Sequence, residues 1–289
     1  MFGVLPVDKP AGLTSRDVCN RVERLVRPDK VGHTGTLDPL ATGVLLLAIG
    51  SASRLVEFSL GHSKEYEADF LLGQHSPTLD TDGQVEHLPA APWPDLRQLQ
   101  AQTELWIGRV KQVPPKFSAI NVGGRRAYDL ARKGQDFELA ARDVEIFAID
   151  ILAYVYPLLT LRIECGSGTY VRSLGSDIAR ALGSDAVMSR LVRTRVGPFK
   201  LADCAPLEQL PTLADIQQRL RPPQMLIANM PTVELPPAQV TRIRNGIPVE
   251  FDNELAERLI ATDEQHQLIA VLQQTDAAAR RYRSLRVFQ

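Results

Sequence analysis

Residues 32–43 read Gly32-His33-Thr34-Gly35-Thr36-Leu37-Asp38-Pro39-Leu40-Ala41-Thr42-Gly43, and Val44-Leu45-Leu46-Leu47-Ala48-Ile49 follows without a break. Three glycines permit positive φ and close backbone approach. Pro39 keeps Asp38 out of helical backbone, so Asp38 is expected on a loop. The apolar run 44–49 reads as a buried strand. One carboxylate on a tight loop beside a core strand is how a scaffold presents a reactive group. The bland alternative is a Gly-rich turn whose aspartate caps a neighbouring backbone.

Outward from this stretch, composition bounds the class. The 289 residues suffice for one large domain, or one with a small appendage. A hydrophobic fraction of 44% and a charged fraction of 23% are those of a soluble globular chain. The net charge of −1 advertises no general affinity for nucleic acid. Cys19, Cys165 and Cys204 are odd in number and far apart, which argues against a disulfide framework and fits a reducing, cytoplasmic setting. No signal peptide and no membrane span are expected.

Taken in order, Gly3–Val7 reads as a strand that Pro6 assigns to an edge. Thr14 reads as a helix N-cap with Asp17 in the capping-box position, and Val18, Val22 and Leu25 form the apolar stripe of a helix ending before Pro28. Residues 51–60 suggest a short helix. Lys64 to Phe70 alternates, with Tyr66, Ala68 and Phe70 on one side and Glu65, Glu67 and Asp69 on the other, as in a half-buried antiparallel strand. A polar excursion (74–94) and a helix (96–107) precede a basic segment. Arg109, Lys111, Lys116, Arg125, Arg126, Arg132 and Lys133 there face the single acid Asp129. Strands are expected at 144–156, 158–165 and 187–196, and a helix at 169–182. Beyond a boundary near Gln224, a helix at 239–245, a net-acidic stretch at 250–264 and strands at 268–273 and 282–288 suggest a small barrel-like module.

Metal catalysis is not indicated, because the five histidines share no ligand spacing with each other or with cysteine. A Gly-x-Ser-x-Gly elbow and a phosphate-binding loop are both missing. A loop carboxylate, a strand bearing Tyr66 and basic runs with interleaved aromatics remain. They fit a polyanionic partner, with a solvated surface as the plain alternative for any one run.

These residues resemble the TruB family of bacterial tRNA pseudouridine-55 synthases over nearly the whole chain. Asp8 to Ser15 is similar to the family's N-terminal motif, Gly32 to Gly43 to its catalytic loop and Lys64-Glu65-Tyr66 to its tyrosine motif. Val113 to Ala119 and Tyr128 to Gly134 resemble an RNA-clasping insertion, placed here at about 109–140. Gly166 to Arg172 and Leu191 to Thr194 resemble the last two motifs of the catalytic domain. Two departures, the 75–82 loop and Ala186 where histidine is frequent, are expected to lie outside the core of the site.

The resemblance implies an α+β pseudouridine-synthase fold, with a mixed, largely antiparallel sheet around a central cleft. Residues 1–224 would be catalytic and residues 225–289 a PUA-like RNA-binding module whose arginines meet the acceptor-side backbone. The implied activity is isomerisation of a T-loop uridine without a cofactor. The implied partner is tRNA, bound by a monomer with no guide RNA or protein partner. By the same resemblance Asp38 is the nucleophile or base, Arg193 pairs with it, and Tyr66 stacks on the target base. His33 stacks within the RNA and Lys9 supports the loop. Gly35, Thr36, Tyr170, Arg172, Lys116, Arg132 and Lys133 complete the RNA-binding set. A guide-RNA-dependent synthase and an RNA-folding chaperone are the competing readings.

Overall fold

The apolar run 44–49 is apolar throughout because both of its faces are covered. The computed structural model, which describes residues 1–253 and 255–288, extends it to a strand at Thr42–Ile49. Leu45, Leu47 and Ile49 enter one core cluster, and Val44, Leu46 and Ala48 enter a second on the opposite face. A strand buried on both sides has no reason to alternate.

In chain order the first sheet uses β1 (Gly3–Lys9), β2 (Val31–His33), β3 (Thr42–Ile49) and β4 (Lys64–Leu72). A small ladder, β5 (Gln74–His75) with β6 (Glu86–His87), leads through helix α2 (Leu96–Glu104) to β7 (Gly108–Gln112). A second small ladder, β8 (Asn121–Val122) with β9 (Arg125–Arg126), precedes α3 (Ala127–Arg132). Then come β10 (Arg142–Val155), β11 (Leu158–Cys165), α4 (Val171–Ala181), β12 (Ala186–Val196), β13 (Phe199–Lys200) and β14 (Ala205–Pro206). The large sheet runs β14-β1-β3-β12-β4-β11-β10-β7, with β2 on β3 and β13 on β12. Its pairings are antiparallel except β1 with β14 and β3 with β12. The expected mixed, largely antiparallel α+β architecture is therefore present.

β1 is one strand in from the edge. Its outer side is met by Arg221 at Val4 and by β14 at Val7 and Asp8. Pro6, which has no N–H to donate, falls between these contacts.

Helix α1 (Ser15–Val26) begins with the expected capping box of Thr14 and Asp17. It buries Val18, Cys19, Val22 and Val26 on the sheet. α4 lies so close to β4 that a Cβ on Gly175 would collide with the Phe70 ring. Tyr66, Ala68 and Phe70 face this core, as the alternation predicts. The expected helix at 51–60 is a 3-10 segment, Gly50–Gly61.

After α5 (Leu213–Arg219), β15 (Thr232–Glu234), α6 (Pro237–Arg244), β16 (Val249–Glu250), β17 (Arg258–Thr262), β18 (Leu268–Asp276) and β19 (Arg281–Val287) build a second sheet, ordered β15-β17-β18-β19-β16. β17 hides within the net-acidic 250–264 stretch. A charge count averages away its buried Leu259, Ile260 and Ala261. The two sheets share the second core cluster, where Val4, Val44 and Leu46 pack with Ile260, Val271 and Phe288. The Phe2 and Phe288 rings stack across it at 5.4 Å. Among the described residues no helix is long and apolar enough to cross a membrane.

Gly43 carries the parallel contact between β3 and β12. Its φ is +99°, and an added Cβ would strike the Arg193 carbonyl oxygen. Gly12, at φ +83°, has open space around it. Gly43→Ala is expected to lower unfolding free energy by about 3 kcal/mol in urea titration, and Gly12→Ala by about 1. Equal losses would show that backbone strain, and not the strand contact, makes Gly43 necessary.

Candidate active site

Asp38 opens a β-turn. The Ala41 N–H donates to the Asp38 carbonyl at 3.1 Å, with Pro39 at the position whose φ it pre-sets. Ser15, in the first turn of α1, grips the preceding residue twice. Its Oγ accepts from the Leu37 N–H at 2.8 Å and donates to the Leu37 carbonyl at 3.1 Å. The Pro39 carbonyl accepts from the Gly12 N–H at 2.8 Å. Lys9, 0% exposed, donates from Nζ to the carbonyls of Pro10 at 2.9 Å and Pro39 at 3.3 Å. One stretch, residues 9–15, therefore clamps the short loop at several points, while the Asp38 side chain stays 35% exposed.

The guanidinium that meets this carboxylate belongs to Arg172, in the first turn of α4. Its Nε lies 3.0 Å from Asp38 Oδ2, and its Nη1 lies 3.2 Å from Asp80 Oδ2. Nη1 also donates to the Thr78 carbonyl at 2.7 Å and Nη2 to the Phe117 carbonyl at 3.1 Å. The Arg172 side chain is 5% exposed. Burying a cation this deeply is tolerated only when its donors are matched, as they are here.

The ion pair that the resemblance assigned to Arg193 is thus made by Arg172. Arg193, 2% exposed, lies beneath the loop. Its β12 position places it between Gly43 and Tyr66. Its Nε donates to the Val44 carbonyl at 2.7 Å and its Nη2 to the Gly35 carbonyl at 3.1 Å, and it hydrogen-bonds the Tyr66 side chain. Those partners hold its fork under the backbone.

A second expectation is also corrected. The 75–82 loop reaches the core of the site through Asp80, whose carboxylate is almost wholly buried. Asp80 Oδ1 accepts from Thr78 Oγ1 at 2.5 Å and from the Asp82 N–H at 3.2 Å. The loop's start is fixed by His75, whose Nδ1 lies 2.9 Å from Asp185 Oδ2. Asp185 also accepts from Ser176, Arg180 and the Ala186 N–H.

Burial is the largest influence on Asp38 and raises its pKa. Arg172 opposes the rise, Asp80 and Asp82 add to it, and Lys9 opposes it. Burial likewise raises the Tyr66 hydroxyl, against the Arg193 charge. Lys9 is pushed down to about 8 by burial, with Asp38 resisting. Lys64, absent from the expected site, is also pushed down to about 8, first by burial and then by Arg193. Its Nζ donates to Ser167 Oγ at 2.8 Å and to the His62 carbonyl at 3.1 Å. Lys64 and Tyr66 share one side of β4, a parity that could have flagged the lysine.

Of the other expected residues, His33 ends β2 half-buried, its Nδ1 without a partner and its pKa lowered by burial and by the charges of Arg16 and Arg193. Gly35 is half-buried over Arg193, and Thr36 is exposed. Tyr170 caps α4, exchanges two hydrogen bonds with Gln112 and lies under the Arg142 guanidinium at 4.8 Å. Lys116, Arg132 and Lys133 are exposed on the 109–140 segment. Lys116 pairs with Asp136 at 3.0 Å, and Arg132 lies over the Tyr128 ring. That segment joins the site through its backbone, at the Phe117 carbonyl on Arg172 and at the Val113 carbonyl, which accepts from Ser173 Oγ at 3.1 Å.

Arg172→Met removes the cation between the two carboxylates. The Asp38 pKa is expected to rise further in a carboxyl NMR titration. Unfolding free energy at pH 7 is expected to fall by about 3 kcal/mol. A raised carboxyl loses stability as pH climbs through its folded value, so the deficit should shrink toward pH 4. A deficit independent of pH would mean that the lost carbonyl contacts, and not the charges, dominate.

Residues 23–171 match the family model described as TruB family pseudouridylate synthase (N terminal domain). Residues 172–226 match that of the tRNA pseudouridylate synthase B C-terminal domain. The chain is similar to a tRNA pseudouridine synthase B of Rhodopirellula baltica, 40% identical over 262 residues that cover 86% of this chain and 75% of that protein. Another, from Xanthomonas campestris pv. campestris, is 42% identical over 252 residues, covering 85% of this chain and 81% of that protein. The fold is also found in the crystal structure of a Cbf5-Nop10-Gar1 complex, with a TM-score of 0.76 and 24% identity, over 100% of this chain and 84% of the solved one. With a family model spanning more than half of its length and relatives this similar over most of theirs, the chain belongs to the TruB family of pseudouridylate synthases.

Proposed function

We propose that this protein isomerises uridine-55 in the T-loop of tRNA to pseudouridine, with Asp38 acting on the flipped nucleotide. The observation that carries the reading is the Asp38 turn, pinned by Ser15, Gly12 and Lys9 and held at Arg172 while its carboxylate stays 35% exposed. The N1–C1′ bond breaks, the uracil turns, and a C5–C1′ bond forms. C5 loses its proton and N1 gains one, so the product is an isomer. The base is both leaving group and returning nucleophile, and the chemistry is redox-neutral, so it calls for no cofactor.

Asp38 must be ionised to act as nucleophile or base. Burial works against ionisation, and Arg172 works for it while fixing the carboxylate's direction. Tyr66 lines the floor of the site beside Arg193, where it meets the base. Lys9 keeps the loop in place. The target lies within a folded T-loop, so binding includes extrusion of the base, offset by phosphate and stacking contacts. The 109–140 segment carries exposed Lys116, Arg132 and Lys133 for those contacts. Residues 1–224 form the catalytic unit, and residues 225–289 a PUA-like RNA-binding module. In that module Arg281 is already paired with Glu250 at 2.8 Å and Arg286 with Glu57 at 2.7 Å, which leaves Arg283 better placed for RNA.

The protein acts in the cytoplasm on tRNA alone, as a monomer, without a guide RNA or protein partner. The higher identity to proteins named tRNA pseudouridine synthase B than to the Cbf5 chain favours this over guide-dependent action.

Site-resolved mapping of pseudouridine on an unmodified T-arm stem-loop is the test. Wild type is expected to convert the T-loop uridine. Asp38→Asn is expected to bind the RNA within about threefold of wild type and to lose at least about 10⁴ in rate. The acid limb of the single-turnover rate should lie above the ordinary aspartate value of 3.8, because burial raises Asp38. Binding without conversion by wild type would remove the catalytic assignment.

A further inference from the structure

Some exposed arginines of this protein are matched to acids and many are not. Arg109, Arg162, Arg180, Arg190 and Arg281 each hold a carboxylate within 3.1 Å. On and just after α1, Arg16, Arg21, Arg24 and Arg27 are all exposed, and among the described residues none has a carboxylate within ion-pair distance. Positions 16, 20 and 24 are spaced by four and share one helix face, Arg27 continues it, and Arg21 flanks it. Asn20 fills the gap in the row with an amide.

The two acids on this helix are engaged elsewhere. Asp17 accepts from the Thr14 N–H at 3.0 Å and from its hydroxyl at 2.6 Å, and Glu23 lies 3.6 Å from Lys30. Between the arginines lie two open concavities. One, of about 240 Å³, is lined by Leu13, Asp17, Asn20, Arg21 and Arg24, and the other, of about 170 Å³, by Asn20, Glu23, Arg24 and Arg27. The row starts at the Asp38 loop, because Ser15 clamps Leu37 one residue before Arg16. The Arg16 charge also disfavours protonation of His33.

We propose that the arginine row of α1 binds the phosphodiester backbone of the substrate tRNA beyond the T-arm, outside the site that receives the target nucleotide. This rests on the tRNA reading above and extends it to a second contact. A row of unmatched guanidinium forks suits a row of phosphates, which they engage bidentately. Among the described residues that line the two concavities, Leu13 is the one apolar side chain, too little for a protein partner's buried centre. Its continuity with the Asp38 loop means that one RNA can occupy the cleft and the row together.

The test compares wild type with the Arg21→Gln/Arg24→Gln/Arg27→Gln variant, on full-length unmodified tRNA and on the isolated T-arm stem-loop, across a potassium chloride series. On full-length tRNA the variant is expected to raise KM about tenfold or more with kcat unchanged. The slope of log affinity against log salt should become shallower by about two to three, since each phosphate contact contributes about 0.7–0.9. On the stem-loop both quantities should stay within about twofold. The triple Arg→Lys variant should restore the slope, because a lysine still neutralises a phosphate. Thermal melting reports folding, and Arg24→Gln alone, with an expected slope change of about one, serves if the triple variant melts early. An unchanged slope on full-length tRNA would overturn the proposal. So would an equal loss on both RNAs, or displacement of wild-type-bound tRNA by poly-glutamate as effective as by a second tRNA. Wild type that binds RNA steeply with salt but converts no uridine would sink the proposed function and leave the slope comparison intact.

Discussion

Everything about the candidate site hangs on one buried guanidinium. Arg172 leaves the first turn of α4 and meets two carboxylates and two carbonyls, on Asp38, Asp80, Thr78 and Phe117. These belong to the Asp38 loop, the 75–82 excursion and the basic 109–140 segment. None of the three forms a long regular element at that point, so none has a ladder of backbone bonds to hold its shape. A charge that must be matched or be strongly unfavourable supplies the constraint instead. The same charge keeps Asp38 ionisable in a place where burial and two neighbouring aspartates push the other way. Fold specification and preparation of the carboxylate are therefore one interaction.

Arg193 performs the complementary task from below. It sits where β12 is flanked by β3 on one side and β4 on the other, and it donates to carbonyls on either side of the Asp38 turn, at Gly35 and Val44. Gly43 lets the strands approach closely enough for this, because any side chain there would meet the Arg193 backbone. The loop is thus held from beneath by Arg193, from the α1 side by Ser15 and from β1 by Lys9. Rigidity of this kind suits the role proposed for Asp38, which is to meet a flipped base without searching for it.

Much of this was legible before any coordinates. The Gly32–Gly43 loop, the doubly buried strand after it, the Tyr66 alternation and the Thr14 capping box are local features, written in spacing and residue type. Asp80, Lys64 and the identity of the arginine on Asp38 were not legible. Arg172 and Arg193 both occur in motifs near the site, and only the direction of α4 against the plane of β12 decides which guanidinium points where. Asp80 lay in a stretch whose turn-rich composition reads as surface, yet Met188 and Thr81 pair there and draw the loop inward. β17 was lost for a different reason. Its apolar run is short, and the acids flanking it set the average.

Pairing, more than total charge, also resolves the apparent conflict between a net charge of −1 and a polyanionic partner. Several carboxylates of the large sheet are spoken for: Asp69 by Arg190 and Thr160, Glu164 by Arg195, Asp150 by Arg162. A closed pair presents little field beyond a Debye length of about 8–10 Å. Cations without such partners, on α1 and on the 109–140 segment, present theirs fully. The Coulomb field that an approaching phosphate senses is the local excess of unmatched groups, not the molecular sum. A chain that is nearly neutral overall can therefore steer RNA to the side of itself on which its unmatched cations cluster.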